Sequence, residues 1–77
     1  MLLDVPTQFA TEVQNTYTAW SNASSSTPPA SSSTIAFYLK LLNKALDKCS
    51  VELGRPTTPR PTVVPQEDGT LKLEYTA

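Results

Sequence analysis

Two stretches of the chain repeat apolar residues at helical spacing. The first predicts a helix over about residues 7–22, with one apolar stripe formed by Phe9, Val13, Tyr17 and Trp20. Intervals of three and four residues bring such side chains to one side of an α-helix. Because Thr7 follows Pro6, its hydroxyl is suited to cap the free amides of the first turn.

The second stretch predicts a longer helix over residues 34–53, about five turns in length. Its apolar stripe consists of Ile35, Leu39, Leu42, Leu46, Cys49 and Leu53. Ser33 or Thr34 is a suitable N-cap, and Gly54 stands where helices commonly end. The intervening residues 21–33 are rich in serine and threonine around two prolines, a composition typical of a loop.

Residues 55–77 follow a different pattern. Three prolines at positions 56, 59 and 61 favour extended chain. Leu71, Leu73 and Tyr75 alternate with polar residues, as in a half-buried strand, and Asp68-Gly69 predicts a turn before them, so that residues 63–64 are a candidate partner strand. The fold prediction is mainly α: a two-helix hairpin over residues 1–54 and an extended proline-rich C-terminal tail, 55–77, ending in a short β-strand or hairpin.

The C-terminal strand needs a neighbouring strand to pair with. A two-stranded hairpin is marginal in water, and an open strand edge favours pairing with another chain. We therefore predict that Leu71, Leu73 and Tyr75 contact a partner protein by adding a strand to its sheet. In the alternative, the tail folds back and covers Phe37 and Leu41, which lie away from the main apolar stripe of the second helix.

The length and cysteine content limit how this chain can be stabilised. It has 77 residues, one cysteine and no histidine. A core of this size seldom stabilises much by itself, and one cysteine without histidine supports neither an internal disulfide nor a usual zinc site. We expect no metal or cofactor, weak stability of the isolated chain, and association with other protein subunits.

The sequence lacks the residue combinations that common enzyme mechanisms need. A serine nucleophile lacks its usual histidine base, and Cys49 lies on the apolar stripe, where a buried thiol is the ordinary interpretation. The acidic residues are scattered, and the two glycines, 54 and 69, are too far apart for a phosphate-binding loop. The sequence therefore predicts that the protein is not an enzyme.

The polar surface offers one clear pattern, in which Lys40, Lys44 and Lys48 share a helix face opposite the main stripe. One interpretation is a solvated face; the other is contact with phosphates or an acidic protein surface. Phe37 and Leu41 lie beside these lysines, and a partner contact is one explanation for them. Nucleic acid is a weak expectation, since the lysines lack interleaved aromatic residues.

The functional interpretation rests on these features together. The short, Thr/Ser/Pro-rich chain resembles minor structural proteins of phage particles in overall style. We expect a structural or assembly protein, a minor component of a large complex such as a phage virion; the alternative is a small soluble regulator or inhibitor of one protein target. No stretch is apolar enough for a membrane helix, and residues 1–4 lack signal-peptide features, so the expected location is the cytoplasm or a particle assembled there.

Overall fold

Two α-helices pack against each other and against a three-stranded antiparallel sheet in the computed structural model, which describes residues 1–76. The elements in chain order are β1 (Leu2–Asp4), a 3₁₀ turn (Thr7–Phe9), α1 (Ala10–Ser25), α2 (Ser32–Glu52), β2 (Thr62–Pro65) and β3 (Leu71–Glu74). The predicted pair of helices is confirmed. The sheet contains the predicted hairpin and one strand more, at the start of the chain.

The first helix begins later and ends later than the sequence predicts. Thr7 belongs to the preceding 3₁₀ turn, and the α-helical part starts after Phe9 without a side-chain cap, so the predicted threonine cap is wrong. At the other end the helix continues into the serine-rich stretch. The hydroxyls of Ser24 and Ser25 donate to the carbonyls of Trp20 and Ser21 four residues earlier, at 2.9 and 2.7 Å. These bonds satisfy the serine hydroxyls within the last turns of the helix, although serine is not a strong helix former.

Both ends of α2 are capped by specific local bonds. The Ser31 side chain accepts from the Thr34 amide at 3.3 Å, so the cap lies two residues before the first predicted candidate, Ser33. At the C-terminus Gly54 adopts a φ of +69°, and the Arg55 amide donates to the Ser50 carbonyl at 2.8 Å. This left-handed ending is the Schellman motif, and it confirms the predicted role of Gly54.

The sheet corrects the prediction for the C-terminal strand. β3 lies in the centre, with β1 on one side and β2 on the other, both antiparallel to it. In this register Leu73 is opposite Leu3 in β1 and opposite Val63 in β2. Because both edges of β3 are occupied within the chain, the predicted addition of this strand to a partner's sheet is wrong.

The proline-rich segment before the sheet contacts α2 near its end. Arg60 forms an ion pair with Asp47 of α2, at 3.2 Å from Nε to Oδ1, and the next residue, Pro61, is buried. The predicted turn at Asp68-Gly69 is confirmed: Gly69 has a φ of +88°, and Asp68 accepts from the Thr70 amide at 3.0 Å. The C-terminal strands are therefore integrated into the fold.

The core lies where the two helices meet the inner face of the sheet. Its buried apolar members are Val13, Leu42, Ala45, Leu46, Cys49, Leu73 and Tyr75. The rest of the predicted α1 stripe, Phe9, Tyr17 and Trp20, packs against them in half-buried positions. The sheet is packed on the C-terminal half of α2, since the Tyr75 hydroxyl reaches Ser50 while Leu39, in the helix's first half, is 38% exposed.

Candidate interaction surface on the second helix

The side of α2 that faces away from the core carries a second regularly spaced row, in which apolar residues flank two lysines. Positions 37, 41, 44, 48 and 51 follow one another at intervals of four, three, four and three residues, which is the spacing of a helix-packing seam. We call this row the outer seam; its members are Phe37, Leu41, Lys44, Lys48 and Val51. It is apolar at both ends and basic in the middle.

The apolar ends of the outer seam are open to solvent. Phe37 is 58% exposed and Val51 is 73% exposed, while Leu41 is 37% exposed. The alternative prediction, in which the C-terminal segment covers Phe37 and Leu41, therefore does not describe this fold. The Phe37 ring is held edge-on to Tyr38, with ring centroids 5.7 Å apart. A shallow depression lined by Phe9, Lys44, Asp47, Lys48, Val51 and Glu52 continues the seam toward α1.

The three predicted lysines differ in their pairing. Lys48 Nζ lies 3.2 Å from both carboxylate oxygens of Glu12 on α1, so its charge is balanced within the chain. Lys40 and Lys44 are exposed and form no ion pair with the residues that the structure describes. The Asp47 carboxylate lies beside Lys44 on this face but is paired with Arg60, and Glu52 stands at the C-terminal end of the helix. The middle of the outer seam thus carries uncompensated positive charge.

The structure separates the eight predicted contact residues into two groups. Phe37, Leu41 and the three lysines lie together on one exposed face of α2. Leu73 and Tyr75 instead lie in the chain's own core, and Leu71 packs against it. Their prediction as partner-binding residues is wrong, because alternating side chains of the central strand point toward the helices. Val51 was not predicted, although its seven-residue interval from Lys44 places it on the same seam.

The thiol of Cys49 is buried in the core, and burial changes its pKa. The side chain has no solvent exposure, as the apolar stripe predicted. Burial, and to a lesser extent the nearby Glu12 carboxylate, raises the pKa of Cys49 from 9.0 to about 11. The thiol is therefore protonated and unreactive at neutral pH.

This pKa predicts an alkaline loss of stability. The unfolded chain releases the thiol proton near its ordinary value of 9.0, while the folded chain holds it to about 11. The free energy of unfolding should consequently decline as the pH rises across that window. Urea unfolding at several pH values measures the effect, and Cys49→Ala should remove part of the decline. Rapid reaction of the native thiol with a disulfide reagent at pH 8 would contradict this account.

Other kinds of site are not assembled in the described part of the chain. Residues 1–76 bring together no group of three histidine, cysteine, aspartate or glutamate side chains suited to a metal ion. Buried side-chain polar atoms there all have hydrogen-bond partners. Among the described helices, none combines the length and apolar character needed to cross a bilayer. The outer seam is the feature of this region that internal contacts leave unexplained.

Comparison with known proteins gives no further assignment. No protein-family model matches the sequence, and neither characterised proteins nor solved structures resemble it significantly.

Proposed function

We propose that the protein is a non-enzymatic binding protein that joins a larger protein assembly, as a minor component of a particle such as a virion, through the outer seam of α2. The observation that carries this proposal is the exposure of Phe37, Leu41 and Val51 on one helix face. Helix faces turned to solvent ordinarily carry polar residues, and apolar side chains aligned at seam spacing are typical of helix–helix contacts.

The small size of the fold supports the same proposal. Within residues 1–76 the buried apolar core contains seven residues, which leaves little margin of stability for the free chain. A partner that covers the outer seam would bury three more large apolar side chains. Burying a fully exposed side chain of this kind is worth about 1.5–3 kcal/mol, and these three would gain the share that matches their remaining exposure, so association would stabilise the fold as well as the complex.

The proposal predicts that two polar substitutions on the outer seam abolish assembly. We expect the double variant Phe37→Ser/Leu41→Ser to lose its partner, because it replaces the apolar contact with groups that remain well hydrated. Affinity-tagged parent and variant chains would be purified from native cells, and their complexes sized by native mass spectrometry. The parent chain should co-purify with a large complex in fixed stoichiometry, and the variant should be recovered alone and folded.

A matched control comes from the sheet. Leu2 is also exposed, at 46%, but lies on the outer face of β1, away from the seam. Leu2→Ser should therefore retain assembly. Equal loss in the control and the seam variant would contradict the proposal. Recovery of the parent chain as a free species that binds one target reversibly would favour the alternative role of a small regulator.

A further inference from the structure

The basic middle of the outer seam narrows the kind of partner that fits it. Between Phe37 and Val51 the seam runs for about 21 Å, at ~1.5 Å per residue, which corresponds to about four helical turns. A straight row of this length, apolar at its ends, matches one partner helix lying along α2. This step rests on the proposed function, since it concerns the same surface.

A second copy of this chain is a poor occupant because of charge. In an antiparallel pairing that joins Phe37 of one copy to Val51 of the other, Lys44 faces Lys44 and Lys40 faces Lys48. A parallel pairing sets each lysine against its own counterpart. In each copy Glu12 is shared with Lys48 and Asp47 with Arg60, so Lys40 and Lys44 of the two copies leave four positive charges without an ion-pair partner among the described residues. Like charges in the middle of a helix pair disfavour association and select against that partner.

We propose that the outer seam binds an amphipathic helix of another protein that is apolar at its ends and carries carboxylates at its centre. Carboxylates opposite Lys44 and Lys40 complement the two lysines that no described residue pairs. The apolar ends supply most of the affinity, and the central charges set register and choice of partner.

Three synthetic helical peptides of equal length test this inference on the full chain. All carry leucine at the seam positions that face Phe37, Leu41 and Val51, and they differ only in having glutamate, glutamine or lysine at the central positions. Binding is followed by fluorescence anisotropy. We expect the glutamate peptide to bind about tenfold or more tightly than the lysine peptide, with glutamine between them, and the difference to shrink between 0.05 and 0.5 M salt.

Charge reversal in the protein provides the complementary arm. Lys44→Glu should remove most of the preference for the glutamate peptide and Lys40→Glu/Lys44→Glu should invert the order of the three peptides, whereas Lys72→Glu, on the outer face of the sheet, should leave it unchanged. Three results would overturn the inference: equal binding of all peptides, no binding of any peptide, or dimerisation of the chain alone that Phe37→Ser abolishes.

The experiments distinguish a failure of the proposed function from a failure of the proposed partner class. If Phe37→Ser/Leu41→Ser loses the native complex while Lys44→Glu retains it and the peptides show no charge order, the seam is an interface for a different class of partner. If the native complex survives the double seam variant, the proposed function itself is wrong.

Discussion

Replacing Leu73 by alanine should lower the free energy of unfolding by about 2–5 kcal/mol, the usual range for a fully buried leucine. Leu73 has no solvent exposure and lies at the centre of the middle strand, between Leu3 and Val63. Removing its side chain leaves a cavity where the sheet meets the helices. Because a domain of this size holds only a few kcal/mol in total, the variant should be largely unfolded.

The measurement is urea denaturation followed by far-ultraviolet circular dichroism and by the fluorescence of the single tryptophan, Trp20. Helicity should fall together with the sheet, since the helices bury their apolar faces against it. Leu2→Ala is a matched control: it removes the same atoms from a neighbouring strand, at a position that is 46% exposed. A similar loss of stability in both variants would mean that β3 is not packed on the helices as described.

Local patterns predicted the helical part of this fold because the necessary information lies close together in the sequence. The stripe of α1 and the longer stripe of α2 each repeat within one helix, and the end of α2 depends on one glycine with a positive φ. Helix boundaries were less accurate. The predicted loop began at Ser21, yet α1 continues through the serine-rich stretch to Ser25, where the serine hydroxyls donate to carbonyls within the helix.

The sheet was predicted incompletely because its decisive contact joins the two ends of the described chain. β1 has three residues, too few to show alternation, and its partner β3 begins 67 positions after β1 ends, at Leu71. Main-chain bonds between Met1 and Tyr75 continue this pairing beyond the strands. Without β1, the C-terminal strand had only residues 63–64 as a candidate neighbour in the chain, and pairing with a partner chain was predicted.

Part of the interaction surface could be predicted, because that part depends only on local spacing within α2. Phe37 and Leu41 stand out because they lie off the main stripe of α2, a feature that the helical period reveals directly. The period alone cannot say which lysine is neutralised, because the Glu12–Lys48 pair joins different helices. In the same way, two-residue alternation in β3 shows that one face of the strand is apolar, but it does not show whether that face packs on the chain's own core or on a partner.

Removing the buried hydroxyl of Ser50 should cost about 1–3 kcal/mol of unfolding free energy, the penalty for leaving a buried polar group without a partner. The hydroxyls of Ser50 and Tyr75 lie 2.8 Å apart, and both side chains are buried. This bond fixes the end of β3 against α2. Ser50→Ala leaves the tyrosine hydroxyl unsatisfied in the core.

The opposite substitution should be milder. In Tyr75→Phe the Ser50 hydroxyl is free to turn toward the carbonyl of Leu46, four residues earlier in the same helix, as serines in helices commonly do. The double variant Ser50→Ala/Tyr75→Phe removes both partners at once, so no unsatisfied group remains. We expect it to be more stable than the sum of the single losses implies, by about 1 kcal/mol or more.

Urea unfolding of the four proteins, parent, two single variants and double variant, gives this coupling energy directly. A control cycle combines Ser50→Ala with Tyr17→Phe, whose ring packs on the core and next to Trp20 and whose hydroxyl makes no bond to Ser50. That cycle should be additive. Additivity in the Ser50–Tyr75 cycle as well would show that the two hydroxyls do not form the bond that joins β3 to α2.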